Sequence, residues 1–381
     1  MILPGSTIGI LGGGQLGRML AVPARQMGYG VAVLAPAGDA PALGLADHAI
    51  RASFDDVDAA RQLAQLADVV TYEFENVPVL AARAVEERTP LRPGSALLAT
   101  TQDRNEEHTF LDRLGIPTAP GCAAYTLAEL DAAVARFGMP VRMKSARGGY
   151  DGGGQHRIVD AASLQVGREL FPKITGGWRI EAEVPFEREL SVVVARSITG
   201  EMLTWAPFEN EHRGGILHLS RWPARGSARA AARAVEVART VAEAGLLIGV
   251  MCVELFVEGD DVRVNELAPR VHNSGHLTIE GAATSQFEQH IRAICGLPLG
   301  STEAVSGGAA MVNLLGGAEQ RRVRLHGADE ALGLGAKVHL YGKERERPGR
   351  KMGHVTALGP SGDEAVRTAL AAAGALRLVG A

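Results

Sequence analysis

Short apolar runs of strand length alternate with stretches whose apolar positions recur every three or four residues, and this alternation organises the first third of the chain. Residues 7–11 form one such run, and residues 16–27 carry Leu16, Met19, Leu20, Ala24 and Met27 along one helical face. The first pattern predicts a buried strand and the second an amphipathic helix, joined by the turn Gly12, Gly13, Gly14. Strand-like runs return at 31–35 and 68–72, so this part reads as a Rossmann-like unit, a parallel sheet with helices over it.

The turn-rich segment 89–95, TPLRPGS, is the first boundary. A helix over 102–114 closes at Gly115 and Pro117, and the alternation resumes through Tyr125, a helix at 127–137 and a strand at 141–144. Strands follow at 178–184 and 189–196, then a glycine-bearing loop at 209–217 and an amphipathic helix at 227–244 capped by Ser227. A helix over 286–295 stops at Gly296 and Pro298, and the linker 298–308 marks a second boundary. From Ala309 onward short β-like runs are joined by glycines. The expectation is an α/β chain in three pieces: 1–95, 96–300, and a small mainly β piece over 301–381.

One stretch concentrates chemistry. The apolar run GVMCVELFV at 249–257 and the run VRVNEL at 262–267 flank Gly259, Asp260 and Asp261, which suggests a β-hairpin. A three-residue loop over 259–261 places Glu254 directly opposite Glu266 on one face, whereas a two-residue loop would place Asn265 there and separate the acids. Facing like charges destabilise a ladder unless a cation neutralises them, and a pair of carboxylates suits Mg²⁺ holding a nucleotide phosphate. The plain alternative is an edge hairpin with exposed acids. APRVHNSGH follows at once, bringing Arg270, His272, Asn273, Ser274 and His276.

Three other patterns carry candidate chemistry. Gly12, Gly14 and Gly17 form the GxGxxG of a dinucleotide site, but the next strand ends in Ala35 and Pro36, where an NAD enzyme usually places its ribose-binding acid; Asp39 comes later, in a loop. A ligand other than NAD is therefore favoured. Glu73 and Glu75 follow the strand at 68–72, where ligands of open α/β sheets sit, although acids at a helix start explain them too. RGGYDGGGQ at 147–155 reads as a hairpin tip whose amide groups can fold over phosphates, with Lys144 at its base, or as a flexible surface turn. Glu181, Glu183, Glu187 and Glu189 cluster around the strands at 178–184 and 189–196, facing either a nucleoside or solvent.

With 381 residues, 46% hydrophobic and 22% charged, the chain is globular, and its net charge of -4 offers no global case for nucleic acid. No apolar run has the length to span a bilayer, and no basic segment precedes the first apolar run, so a cytoplasmic protein is expected. Cys122, Cys252 and Cys295 are too few and scattered for a disulfide framework or a zinc site. Positive charge is almost all arginine; the lysines are Lys144, Lys173, Lys337, Lys343 and Lys351, three of them inside the motifs. Residues 340–354 are strongly basic.

Taken together, DRNEEHTFLDRLGIPTAP, KSARGGYDGGGQ, ELFV with NELAPRVHNSGH, and YGKERERPGRKMGH resemble the ATP-grasp superfamily, and more narrowly the N5-carboxyaminoimidazole ribonucleotide synthetases. GGGQLGRML, TYEFENVP and SQFEQHIRAICGLPLG strengthen the resemblance, which covers nearly the whole chain. It implies a central ATP-grasp domain between the Rossmann-like and C-terminal pieces. It implies ATP contacts at Arg104, Lys144, Gly149, Tyr150, Asp151, Gly152, Gly153, Gly154 and Gln155. Further contacts fall on Glu181, Ala182, Glu183 and Val184 around the adenine, on Glu189 at the ribose, and on His212, Asn265 and Glu266. Mg²⁺ would lie on Glu254 and Glu266. The substrate 5-aminoimidazole ribonucleotide would meet Gln15, Leu16, Glu73, Glu75, Tyr150, Arg270, His272, Asn273, Ser274, Lys343 and Arg350, the last two as a phosphate clamp. Lys144, Arg270, His272 and Asn273 would carry the chemistry with bicarbonate, in a homodimer without nucleic-acid or membrane partners. Two positions depart from the family pattern: Gly153 where a basic residue is usual, and His108 where lysine is common. A formate-dependent glycinamide ribonucleotide transformylase of the same superfamily, an NAD-dependent dehydrogenase and a non-catalytic nucleotide sensor are the rival readings.

Overall fold

The computed structural model describes residues 1–149, 153–317 and 320–380. The chain opens with a four-stranded parallel sheet in the order His48–Arg51, Gly30–Ala35, Thr7–Leu11, Val69–Tyr72. Period-two alternation sends its side chains to two cores. Ile8, Ile10, Val31 and Val33 pack against Leu16, Leu20, Ala21 and Ala24 of the helix Gln15–Gln26, while Leu11, Leu34 and Val70 pack against Leu63 and Val85 of the helices Val57–Leu66 and Val79–Glu86.

Among the described residues the second sheet is four-stranded and antiparallel, in the order Gly121–Ala124, Trp178–Ala182, Val141–Ser145, Gln155–Ile158. Its helix Leu127–Phe137 starts in a capping box, Thr126 accepting from Glu129 N. The third sheet has nine antiparallel strands among the described residues, centred on Asp261–Ala268, Gly249–Glu258, Arg188–Arg196, Phe208–Arg213 and Ile216–Trp222. The helix Ala228–Ala244 covers one face through Ala234, Ala238 and Val241, and the helix Gln286–Cys295 covers the other through Phe287, Ile291 and Ile294. The second face shares one core with the first unit, which locks the Rossmann-like sheet beside the hairpin strands.

Three expectations change. Residues 209–217 belong to a β-hairpin, Phe208–Arg213 paired with Ile216–Trp222 around Gly214 and Gly215, so alternation overrides the glycine signal there. The C-terminal piece is not a separate sheet: Gly308–Leu315, Lys351–Gly359 and Lys337–Leu340 extend the central sheet from Ile216–Trp222. It also holds a helix, Gly362–Ala375, which starts at Ser361 and buries Ala365, Ala369 and Ala372. Alanines at i, i+4 and i+7 give a weak apolar contrast but a good helix. Among the described residues no helix is long and apolar enough to cross a membrane.

Candidate active site

A cleft between the two antiparallel sheets collects most of the residues singled out above. Its lining includes Gln15, Leu16, Glu75, Arg104, Lys144, Gly149, Gln155, Glu181, Ala182, Glu183, Val184, Glu189, His212, Glu254, Asn265, Glu266, Arg270, His272 and Asn273. Tyr150, Asp151 and Gly152 lie outside the described residues.

Glu254 does pair with Glu266, by a route the loop-length argument did not foresee. Glu258 pairs with Asp261, so the turn is only Gly259 and Asp260, with Gly259 at φ 58. That two-residue turn would set Asn265 against Glu254, but a bulge lies between the Glu254–Glu266 and Leu255–Val264 pairs and takes Asn265 out of register. Directly paired residues project from the same face. Burial first, then the charge of Glu266, pushes the Glu254 carboxyl up to about 7. Arg104 Nη2 meets Glu266 at 3.1 Å, so the acid pair is partly compensated within the protein, and its two carboxylates in an oxygen-donor setting fit a divalent cation.

The nucleotide end of the cleft is held by ion pairs. Lys144 Nζ lies 2.7 Å from Glu181 and donates to Asn265 Oδ1 at 3.3 Å. Burial alone would raise Glu181, but Lys144 and His108 hold it well below the usual carboxylate range. His108 Nε2 lies 3.1 Å from Glu181, and burial keeps its ring below the ordinary histidine value. Arg179, 3.5 Å from Glu181, is a further cation on the same carboxylate. Glu183 is held by Arg142 at 2.8 Å and Arg157 at 2.7 Å, so an adenine beside this segment would meet its main chain. Glu189 contacts His212 Nδ1; burial lowers that ring, but the carboxylate carries it above its ordinary value. Gly154 closes the base of the glycine hairpin by accepting from Ser145 N at 2.8 Å. Gly153 and Gly154 are not in the cleft lining.

The other end lies against the first unit. Arg270 is paired with Glu75. A hydrogen-bond chain runs from Ser220 to Asn210 Oδ1 at 2.7 Å, from the Asn210 amide to Ser191 at 3.0 Å, and from Ser191 to Ser274 at 2.8 Å. It ends at His272 Nδ1, 2.8 Å from the Ser274 hydroxyl and accepting from Ser274 N at 3.3 Å. With Nδ1 accepting, the hydrogen sits on Nε2, which lies 3.2 Å from Glu254. Burial and then Arg270 hold this ring far below the ordinary value, hence neutral. Ser274 is fully buried behind His272, and its hydroxyl and amide both meet the His272 ring. The Asn273 amide, which also lines the cleft, exchanges hydrogen bonds of 3.1 and 2.7 Å with Asn313.

Glu73 fills the glycine turn from within. Its carboxylate accepts from Gly14 N and, at 2.6 Å, from Gly17 N. A Cβ at Gly12 would fall 2.1 Å from Glu73 Cγ, and one at Gly14 2.7 Å from Glu73 Oε1. The glycines therefore admit a side chain of this protein at the anion-binding helix start where a dinucleotide would place its pyrophosphate, which removes the observation behind the NAD reading. Burial nevertheless raises Glu73, against the pull of those amides. Lys343 and Arg350 stand outside the cleft lining. Lys343 donates to the Lys351 carbonyl at 2.5 Å, and burial pushes its ammonium down to about 7, with Arg350 adding to the effect. Arg350 pairs with Asp39.

Several lining residues had no assigned role. Lys351, buried in the cleft wall, lowers Glu254, and the scarcity of lysine had pointed to it. Burial pushes Glu107 up to about 8; Arg104 opposes this and Glu266 adds to it, while Leu267 N donates to its Oε2 at 3.0 Å. Phe186 stacks on Phe256 with ring centres 4.6 Å apart at the cleft mouth. An acid in a helical first turn and an aromatic in a loop carry no signal of this kind in sequence.

Comparison with known proteins places the chain. Residues 5–102 match the ribonucleotide synthetase preATP-grasp domain, residues 109–287 the ATP-grasp domain, and residues 309–368 the phosphoribosylaminoimidazole carboxylase C-terminal domain. The N5-carboxyaminoimidazole ribonucleotide synthase of Bacillus subtilis is 44% identical over 365 residues, covering 96% of this chain and 94% of its own. That of Brucella melitensis is 43% identical over 362 residues, covering 94% and 97%. The crystal structure of an ADP complex of an N5-carboxyaminoimidazole ribonucleotide synthetase superposes with a TM-score of 0.91 at 41% identity, covering 98% of this chain and 97% of that one. The Aspergillus clavatus enzyme in complex with ADP and 5-aminoimidazole ribonucleotide gives 0.88 at 34% identity, covering 97% and 98%.

Proposed function

Because the chain belongs to the N5-carboxyaminoimidazole ribonucleotide synthase family of ATP-grasp ligases, we propose that it performs that family's reaction in the cleft described above. It is an ATP-dependent ligase of purine biosynthesis that carboxylates the amine of 5-aminoimidazole ribonucleotide, with ATP and Mg²⁺ as cofactors. The observation that carries the site assignment is the facing pair Glu254 and Glu266 in a cleft flanked by Lys144, Arg104 and Arg270.

Bicarbonate is a poor electrophile and must be activated. One of its oxygens attacks the γ-phosphorus of ATP; the bond to the bridging oxygen breaks, ADP leaves and carboxyphosphate forms. Its C–O bond then breaks to give CO₂ and phosphate, and the amine nitrogen adds to CO₂ with loss of one proton, giving the carbamate. The phosphoryl transition state is loose, so the protein supplies mainly position and positive charge. Glu254 and Glu266 would hold Mg²⁺, which when bound offsets phosphate charge. Lys144 is fixed by Glu181 and Asn265 and presents one ammonium toward the nucleotide. Arg270, oriented by Glu75, presents a second cation on the ribonucleotide side. His272, neutral with its hydrogen on Nε2, serves as a hydrogen-bond donor to the carboxy oxygens and not as a base.

The same proposal includes domain limits of 1–95, 96–300 and 301–381, a cytoplasmic location supported by three free cysteines, and a homodimer to be checked by sedimentation. A coupled ADP-release assay tests the reaction. Turnover with bicarbonate and 5-aminoimidazole ribonucleotide is expected; turnover only with formate and glycinamide ribonucleotide would overturn it.

A further inference from the structure

The acid missing from the end of the second strand reappears in a different role. Asp39, in the loop after Gly30–Ala35, reaches across 311 residues of sequence to the basic loop of the C-terminal piece. Its Oδ1 accepts from Glu344 N at 2.9 Å, its Oδ2 accepts from Arg345 N at 3.1 Å, and Oδ2 also pairs with Arg350 Nη1. The pair is mostly shielded, with side-chain exposures of 20% for Arg350 and 15% for Asp39. Burial would raise the Asp39 carboxyl, but these amides and the guanidinium hold it below the usual range. The loop also rests on the first unit at its start, where a Cβ on Gly342 would lie 3.9 Å from Arg18 and Pro41.

The contacts on Arg350 are one-sided. Nη1 meets both Asp39 and the Arg345 carbonyl, whereas Nε and Nη2 have no hydrogen-bond partner among the described residues. Nε and Nη2 form the parallel fork that matches two oxygens of a phosphate. We propose that Asp39 is a positioning residue for substrate recognition: it fixes the 342–350 loop and turns the free fork of Arg350 toward the 5′-phosphate of the ribonucleotide. This rests on the reading of Lys343 and Arg350 as a phosphate clamp and extends it to the first unit. The second strand's loop thus contributes to binding a ribonucleotide phosphate through an acid, by holding a cation in place, instead of contacting a ribose.

The test uses the enzyme with all its domains and ADP release. Turnover of the unaltered enzyme with 5-aminoimidazole ribonucleotide and bicarbonate first tests the functional reading by itself. Asp39→Asn and Asp39→Ala should then raise the KM for the ribonucleotide on the order of ten-fold, the effect of losing one charge-assisted hydrogen bond. kcat and the KM for ATP should stay within about two-fold. In an Arg350→Ala background, Asp39→Ala should add clearly less than it does alone, because only its hold on the Glu344 and Arg345 amides is left to lose. An unchanged or lowered ribonucleotide KM in Asp39→Ala, or losses that multiply in the double variant, would overturn the proposal. Should the unaltered enzyme accept only another acceptor, calorimetric titration with ribose 5-phosphate decides in its place: weaker binding in Asp39→Asn supports the inference, and equal binding refutes it.

Discussion

Glu254→Gln exchanges a buried acid for its uncharged counterpart, and the two consequences run in opposite directions. In the metal-free enzyme the Glu254 carboxyl moves from 4.5 to about 7, through burial and the charge of Glu266. A raised acid contributes stability that is whole below its unfolded value and is lost as pH rises through the folded value, so the window runs from 4.5 to about 7. At 1.36 kcal/mol per unit, the ionised group costs roughly 3 kcal/mol above that window. Glutamine removes this cost, so the variant should gain about 2–3 kcal/mol at pH 8 and under about 1 kcal/mol at pH 5. For a chain of this size that is a rise in Tm of several degrees at pH 8, at about 2 °C per kcal/mol. The assay is thermal unfolding followed by circular dichroism in chelator at the two pH values. The same variant should lose turnover by roughly 10² or more, and Mg²⁺ with ADP should no longer raise its Tm as it does for the unaltered enzyme. An equal fall in Tm at both pH values would show that Glu254 is a structural hydrogen-bonding group and not a buried acid whose ionisation costs stability.

Other changes probe the remaining parts of the site. Glu266→Gln should cut metal-dependent turnover by roughly 10², checked by steady-state rates across a magnesium titration; near-normal rates would remove it from the metal site. Lys343→Ala should raise the KM for the ribonucleotide and leave that for ATP alone, and equal effects on both would contradict the clamp. Because Lys343 titrates at about 7 instead of 10.5, binding of a phosphate there should take up a proton at pH 8. Calorimetry in buffers of different ionisation enthalpy measures that uptake, and its absence would place the phosphate elsewhere. Ser274→Ala frees the His272 ring and should lower kcat by about ten-fold with little change in either KM, whereas a rise in KM alone would mean that Ser274 touches substrate.

What could be read from the sequence follows from the range of the interactions concerned. The strand Thr7–Leu11 and the helix Gln286–Cys295 lie where periodicity put them, because both are decided by burial within a few residues. The pairing of Glu254 with Glu266 was legible, but the Asn265 bulge was not, since an extra residue on one strand is set by the twist of the whole sheet. The glycines at 12, 14 and 17 were visible, and what they make room for was not: Glu73 arrives from 56 residues or more away. Asp39 and Arg350, or Asn273 and Asn313, are long-range pairs with no spacing rule. Most assignments of residues to ATP and substrate came from the resemblance, whereas the acid pair and the scarce lysines stood on the residues themselves.

The most direct test of the account follows an oxygen atom. With ¹⁸O-labelled bicarbonate, ATP and 5-aminoimidazole ribonucleotide, the oxygen that attacks the γ-phosphorus stays with phosphorus when CO₂ departs. One ¹⁸O should therefore appear in the phosphate released per turnover, read by mass spectrometry or ³¹P shift. Unlabelled phosphate released alongside carboxylated product would show that bicarbonate is never phosphorylated and would contradict this mechanism.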